Sequence, residues 1–187
     1  DYIMEDLPKL ITSCEEGARR TKDIVLGLKV FSRSDESKLQ DYDIVQGLEN
    51  TIKLLQGEIK DRIELVKNFE SHPIVDAYGH QLDQVFMNLI SNAAQAISKK
   101  GTIALSVSDK QNKVLIKIKD TGAGISKENL NKIFDPFYTT KAVGQGTGLG
   151  LSITYGIIEK HGGHVEVRSE PGEGTEFTLS IPKKQNS

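Results

Sequence analysis

The sequence has a single cysteine, no cluster of basic residues and no hydrophobic segment long enough to cross a membrane. One cysteine excludes an internal disulfide framework, and we expect Cys14 to be a small apolar core residue. A formal net charge of −2 over 187 residues gives no indication of binding to nucleic acid or to an anionic membrane surface. With no signal peptide or repeat either, we expect a cytoplasmic module of one domain plus an appended element. Membrane attachment of a longer form stays open.

A glycine-rich segment follows an aromatic cluster in FDPFYTTKAVGQGTGLGL, at positions 134–151. Its closely spaced glycines let consecutive backbone N–H groups converge on phosphate oxygens. The residues after them predict a helix over 149–160, whose positive end would face the same phosphates. The segment predicts a nucleotide lid, although a flexible loop before a helix also fits the glycines alone.

A second site is predicted where a strand ends in an acid. Val114, Ile116 and Ile118 alternate with less apolar positions, and the strand leads into DTGAGI at 120–125. Asp120 can accept a hydrogen bond from an exocyclic amine, and the following glycines are expected to let a flat base lie against the backbone. Taken alone, a β-turn with a solvated Asp also fits.

A third motif lies on a helix predicted over 79–98. Its core stripe repeats at intervals of three and four and consists of Leu82, Val85, Phe86, Leu89, Ile90, Ala93 and Ile97. A neighbouring polar stripe consists of Gln84, Asn88, Asn92 and Gln95. The two asparagines are one turn apart, and amide oxygens suit Mg²⁺ that also carries phosphate oxygens and water. Alone, this stripe is also compatible with a hydrated helix edge.

Together and in this order, the motifs resemble the ATP-binding (HATPase) domain of two-component sensor histidine kinases, a branch of the GHKL superfamily. The resemblance covers residues 43–183. QVFMNLISNAAQA is similar to the N box, DTGAGI to the G1 box, FDPFYTTK to the F box, GTGLGL to the G2 box and GEGTEF to the closing G3-type turn.

The resemblance implies an α+β fold, a two-layer α/β sandwich of the GHKL type, with an N-terminal helix from a helical dimerisation bundle. Helices that begin near Asp43, Gly79 and Gly148 would cover one face of a mixed sheet. The five strands of this sheet are expected near 62–69, 102–108, 113–120, 164–169 and 174–181.

The activity implied by the resemblance is transfer of the γ-phosphoryl group of ATP, with Mg²⁺, to a histidine nitrogen. The phosphoryl group would then pass to an aspartate in the receiver domain of a response regulator. Asn92 would bind Mg²⁺ with help from Asn88. The base would be held by Asp120, Gly122, Gly124, Ile125 and Thr175. The distal phosphates would be held by Lys141 and by the backbone of Gly146, Thr147, Gly148, Leu149, Gly150 and Leu151.

The N-terminal part carries a different pattern, an apolar seam with steps of four and three that needs partner helices. Its members are Leu7, Ile11, Cys14, Ala18, Thr21, Val25 and Leu28. Residues 18–33 are similar to the second helix of the family's dimerisation and phosphotransfer hairpin, which implies a homodimer. We therefore predict this helix over 1–34, a polar linker over 35–42 and the catalytic domain over 43–187, with Asp43 as the N-cap of its first helix.

The family's phosphoacceptor histidine lies in an H box on the first helix of the hairpin and is followed by an acid. None of the four histidines of this chain stands in such a segment. His72 precedes a proline in a loop, His80 lies in the first turn of the N-box helix, and His161 and His164 flank two glycines at the end of the lid helix. The chain also begins at Asp1 without an initiator methionine. We therefore expect a piece of a longer protein that starts downstream of its own phosphoacceptor histidine, and a piece unable to phosphorylate itself.

Two positions depart from other members of the superfamily. Hydrolysing members such as gyrase have a Glu at the position of Asn88, and an amide cannot take a proton from water, so Asn88 favours a kinase over an ATPase. Many family members have a Lys at the position of Gln95, and we expect Lys141 to supply the missing charge.

Two rival functions remain compatible with the residues. The first is a serine kinase of the anti-sigma or mitochondrial dehydrogenase-kinase type, which shares the nucleotide fold. The second is a non-catalytic module that only binds nucleotide. The hairpin-like helix favours the histidine kinase over the first, and the intact motifs argue against the second.

Overall fold

A computed structural model describes residues 38–141 and 146–185, together with the isolated positions Leu7, Ile11, Cys14 and Gly17. The strands are β1 (Gln40–Asp43), β2 (Ile63–Phe69), β3 (Ile74–Ala77), β4 (Gly101–Lys110), β5 (Lys113–Asp120), β6 (His164–Glu170) and β7 (Gly174–Pro182). The helices are α1 (Ile44–Leu54), α2 (Gln56–Ile59), α3 (Gly79–Ala96), α4 (Lys127–Leu130) and α5 (Gly150–Lys160).

Five strands form one mixed sheet in the order β2-β4-β5-β7-β6. Strands β2 and β4 run parallel, and the other neighbouring pairs are antiparallel. These are the five strands predicted from the sequence, and the α+β sandwich is confirmed.

The core lies between this sheet and the helices α1, α3 and α5. Alternation along β5 buries Val114, Ile116 and Ile118, whose exposed fractions are 0%, 0% and 1%. The apolar stripe of α3 packs against them, and all seven of its predicted members are buried. One helical face and one sheet face therefore form a two-layer architecture, which leaves the opposite face of the sheet more polar.

The first helix of the domain begins as predicted. The Asp43 carboxylate accepts a hydrogen bond from the backbone N–H of Gln46 at 3.0 Å, so Asp43 is the N-cap of α1. Two helix ends differ slightly from the prediction, because α3 ends at Ala96 and α5 begins at Gly150.

A second, two-stranded sheet was not predicted. Residues 40–43, which the sequence analysis assigns mostly to the linker, form β1 and pair antiparallel with β3. Tyr42 in β1 also donates a hydrogen bond to Asp83 Oδ1 of α3 at 2.5 Å. Strand β1 is therefore attached to β3 and α3, and the sequence missed it because four residues are too few for a periodic signal.

The predicted N-terminal helix over 1–34 lies outside the described residues except at four positions, all of them helical. Cys14 is exposed there, so the expectation of a core cysteine is wrong for this chain. Within the described part of the chain, no helix is both long and apolar enough to span a bilayer.

Candidate functional site

Asp120 lies at the end of β5 with only 4% of its surface exposed. Its Oδ1 atom accepts the backbone N–H of Gly122 at 2.7 Å. Burial raises the pKa of this carboxyl group, and hydrogen bonds from the N–H groups of Gly122 and Thr175 partly offset that rise. The register between β5 and β7 brings Thr175 beside Asp120. An acceptor held in this way can bind an exocyclic amine.

The glycines after Asp120 have a role in packing within the protein. A Cβ atom on Gly122 would lie 2.6 Å from the Cβ of Ala96 at the end of α3. Gly124 has a φ of +70°, and a Cβ there would lie 2.0 Å from the carbonyl oxygen of Glu170. Both glycines thus allow close packing within the protein, and their role in making room for a base stays a prediction.

Ser169 in β6 connects the two ends of the base region. Its hydroxyl accepts the N–H of Ile125 at 2.8 Å, donates to the Gly174 carbonyl at 2.8 Å and lies 2.9 Å from Thr175 Oγ1. The sequence analysis missed Ser169, because a serine at a strand position carries no signal of long-range contacts.

Asn88 connects the N-box helix to the start of α5. Its Nδ2 atom donates to the carbonyl oxygen of Gly150 at 3.0 Å and lies 3.5 Å from Thr154 Oγ1. Because the amide nitrogen makes these bonds, Oδ1 stays available as an acceptor for a cation. A neutral amide oxygen is a ligand type that Mg²⁺ accepts when phosphate oxygens and water complete its shell.

Lys141, at the end of the F box, reaches the same helix. Its ammonium donates to Asn92 Oδ1 at 3.2 Å and to Gln95 Oε1 at 2.5 Å. Burial lowers the pKa of Lys141, and the nearby Glu58 carboxylate raises it. A positive charge and two amide oxygens of α3 are thereby brought together.

The turn before α5 is held against the F box. The Phe137 N–H donates to the Gly148 carbonyl at 3.0 Å. Gly148 has a φ of +68°, and a Cβ there would lie 2.3 Å from the carbonyl carbon of Phe137. Among the described residues no side chain caps α5 at Leu149, so none of them occupies the first N–H groups of this helix as a cap.

The predicted site residues thus form two clusters. Those predicted to bind the base lie on β5, on β7 and in the DTGAGI loop. Those predicted to bind the phosphates are Asn88 and Asn92 of α3, Lys141, and the backbone of residues 146–151 around the start of α5. Residues 142–145 of the predicted lid lie outside the described residues. Among the described residues, no group of three or more His, Cys, Asp or Glu side chains could hold a metal ion.

Three comparisons with known proteins agree with this geometry. The family model of histidine kinase-, DNA gyrase B- and HSP90-like ATPases matches residues 78–185. The chain is 35% identical over 168 residues to the sensor histidine kinase ZraS of Escherichia coli, a match that covers 88% of this chain and 36% of ZraS. It is 32% identical to the sporulation kinase E of Bacillus subtilis, over 90% of this chain and 23% of that kinase. The chain therefore spans between about a quarter and a third of these relatives.

Solved structures match the fold. The catalytic domain of the histidine kinase ThkA aligns with a TM-score of 0.73 and 32% identity, covering 80% of this chain and 98% of that domain. A structure of ThkA in complex with the response regulator protein TrrA aligns with a TM-score of 0.78 and 28% identity, over 96% of this chain and 52% of the other. The chain belongs to the histidine kinase-, DNA gyrase B- and HSP90-like ATPase family and contains a histidine kinase catalytic domain.

Proposed function

We propose that this chain is the ATP-binding catalytic portion of a two-component sensor histidine kinase. It transfers the γ-phosphoryl group of MgATP to a histidine nitrogen, from which the group passes to an aspartate of a response regulator. The observation that carries the proposal is the contact of Lys141 with Asn92, one helical turn from Asn88, which itself bonds to the uncapped start of α5. Phosphoryl transfer needs mainly positioning and neutralisation of charge, and these groups provide both.

Asp120 selects the base in this proposal. Its buried carboxylate accepts the exocyclic amine of adenine, while Gly122, Gly124, Ile125 and Thr175 form the surrounding wall. The support is the packing of this loop between Ala96 of α3 and the turn after β6. Such an acceptor is rigid and already dehydrated, which favours discrimination between an amine and a carbonyl on the base.

Mg²⁺ would be bound by Asn92 with assistance from Asn88. When bound, the metal neutralises charge on the phosphate oxygens. Lys141 and the backbone N–H groups of 146–151 would bind the distal phosphates. The positive φ of Gly148 keeps this turn close to the F box.

The acceptor is a histidine outside the catalytic domain in this proposal. His161 is fully buried, with both ring nitrogens in hydrogen bonds to the backbone, so it cannot reach a nucleotide bound at the surface. Asn88 cannot accept a proton from water, so hydrolysis would be slow. The acceptor must therefore bring its own base.

The partners in this proposal are a second copy of the chain and a response regulator. Leu7 and Ile11 are helical, one turn apart, and 48% and 52% exposed, which is typical of a seam that another helix covers. The complex of ThkA with TrrA supports a receiver domain as the second partner. We keep 1–34 as the hairpin helix, but begin the catalytic domain at Gln40, since β1 pairs with β3.

The test is phosphoryl transfer in trans. The 187-residue chain is mixed with radiolabelled MgATP and with a longer form of the protein that has the upstream hairpin and the substitution Asp120→Ala. We expect label on the longer form only, acid-labile and base-stable as for a phosphoramidate. Acid-stable label would instead indicate the serine kinase, which the named relatives do not favour. Binding of ATP without any turnover would indicate the non-catalytic module.

A further inference from the structure

Lys141 is held by a residue that the proposed function leaves without a role. Its ammonium lies 2.5 Å from Gln95 Oε1, closer than its 3.2 Å contact with Asn92 Oδ1. The bond spans 46 residues of sequence and joins the end of the F box to the last turn of α3. Gln95 therefore fixes where the positive charge of Lys141 lies.

Gln95 is itself oriented by a second contact. Its Nε2 atom donates to Ser91 Oγ at 3.1 Å, one turn earlier in α3. Ser91 Oγ in turn lies 3.4 Å from Glu58 Oε2. Because the amide nitrogen of Gln95 faces Ser91, its oxygen faces Lys141. The chain of contacts from Glu58 to Lys141 thus sets the direction of the Gln95 amide.

The contact with Asn92 gives this arrangement a consequence for the metal. The Asn92 oxygen is the atom proposed to bind Mg²⁺, and it now accepts a bond from an ammonium. Two cations on one amide oxygen repel each other at short range. Arrival of MgATP therefore favours movement of the Lys141 ammonium from Asn92 toward the phosphates, while the bond to Gln95 keeps it within reach.

We propose that Gln95 is a positioning residue that holds Lys141 beside Asn92, so that the F box supplies to α3 a phosphate-binding charge that α3 does not carry itself. This inference rests on the proposed function. It requires that the site need one ammonium group, and that either position 95 or position 141 can supply it.

A charge swap between the two positions tests this requirement. Affinity for MgATP is measured by calorimetry for wild type, Lys141→Gln, Gln95→Lys and the double variant. We expect Lys141→Gln to weaken binding by roughly 10- to 100-fold, the range for loss of a charged hydrogen bond. Gln95→Lys places two ammonium groups together and should weaken binding about 3- to 10-fold by repulsion. The double variant should return to within about 3-fold of wild type, because the ammonium at position 95 then donates to the amide at position 141.

Gln84 provides the matched control. It lies on the same polar stripe of α3, about 16 Å away along the helix axis from Gln95. Gln84→Lys combined with Lys141→Gln adds the same charge to the same helix and should not restore affinity. Losses in the 95/141 double variant that equal the sum of the single losses would overturn the inference, as would equal rescue by Gln84→Lys. If wild type itself fails to bind MgATP, the proposed function fails instead.

Discussion

The Nε2 atom of His161 accepts a hydrogen bond from the backbone N–H of Tyr78 at 3.1 Å, which joins the end of α5 to the start of α3. The other ring nitrogen, Nδ1, donates to the Ile157 carbonyl at 2.7 Å. The imidazole is therefore neutral with its proton on Nδ1. The Lys160 ammonium lies 4.4 Å from the centre of the Tyr78 ring and makes a cation–π contact with it. The contact between His161 and Tyr78 couples the two helices that are proposed to bind the phosphates.

The pH dependence of stability should reveal this contact. Burial lowers the pKa of His161 below its ordinary value of 6.5, and the charges of Lys160 and His80 lower it further, while the bond to Ile157 opposes them. At a pH between the lowered pKa and 6.5, the His161 imidazole therefore binds a proton in the unfolded chain but not in the folded chain. The unfolding free energy should therefore fall as pH drops below about 6.5, by at most about 1.4 kcal/mol per pH unit from this group.

Chemical denaturation between pH 5 and pH 8 measures this dependence, with His164→Gln as the control because His164 is exposed three residues away. His161→Gln should remove most of the loss between about pH 6.5 and pH 5, and His164→Gln should retain it. Equal slopes in wild type and His161→Gln would show that the acid sensitivity comes from other groups.

Gly148 should be required for nucleotide binding. Alanine there combines an unfavourable positive φ with a Cβ 2.3 Å from the Phe137 backbone, so the turn before α5 has to move. We expect Gly148→Ala to weaken ATP binding at least 10-fold by calorimetry and to lower the melting temperature.

Gly156 is the matched control for this substitution. It lies inside α5, where a Cβ would meet nothing within 4 Å. Gly156→Ala should stabilise the protein by about 0.5–1 kcal/mol, because alanine loses less conformational entropy in a helix. It should leave ATP affinity unchanged. Similar losses of affinity in both variants would mean that α5 tolerates no change, and that the Gly148 backbone has no special role.

Asp120 should determine the choice of base. Its replacement by alanine removes a charged hydrogen bond, which contributes about 1.5–3 kcal/mol, or roughly a factor of 10 to 150 in ATP affinity. GTP presents a carbonyl in place of the amine and should bind poorly to wild type. Glu173→Ala removes an exposed charge from the turn between β6 and β7 and should change neither value. Equal affinities of wild type for ATP and GTP would contradict the role of Asp120.

The elements with a periodic signal were predictable from sequence. Val114, Ile116 and Ile118 specify β5 because every second residue must enter the core, and the stripe of α3 recurs every three or four residues for the same reason. Motif order then indicated the family, and with it the expectation that Asp120 and Thr175 lie close to the same base. Local chemistry sufficed for the Asp43 cap, since a cap involves residues only a few positions apart.

Contacts between distant residues were not predictable in this way. Strand β1 has four residues and is stabilised by β3 and by the bond from Tyr42 to Asp83, 41 residues away. Similarly, 83 residues separate Tyr78 from His161. Nothing in the local sequence of either partner specifies the other. The same limit applies to the glycines at 122 and 124, because their sequence did not show that a Cβ there would meet Ala96 and Glu170.

Asn92 and Asn88 should differ in how their loss affects the metal dependence of binding. Asn92 Oδ1 contacts only the Lys141 ammonium among the described residues, so Asn92→Ala leaves the packing of α3 intact. Affinity for ATP with Mg²⁺ should fall by about 10-fold, the scale of one lost charged contact, while affinity in the presence of EDTA should stay near that of wild type.

Asn88→Ala should have a different signature. It removes the bond from Nδ2 to the Gly150 carbonyl, which joins α3 to α5, so the unfolding free energy should fall by about 0.5–1.5 kcal/mol. ATP affinity should then decrease both with and without Mg²⁺, because the start of α5 is less well held against α3.

Calorimetric titrations of each variant with ATP, with and without Mg²⁺, separate the two roles. If chelating Mg²⁺ lowers affinity by the same factor in wild type and in Asn92→Ala, the metal is not bound by Asn92. If only Asn88→Ala abolishes the effect of the metal, the two asparagines exchange roles, and Asn88 binds the ion while Asn92 serves Lys141 alone.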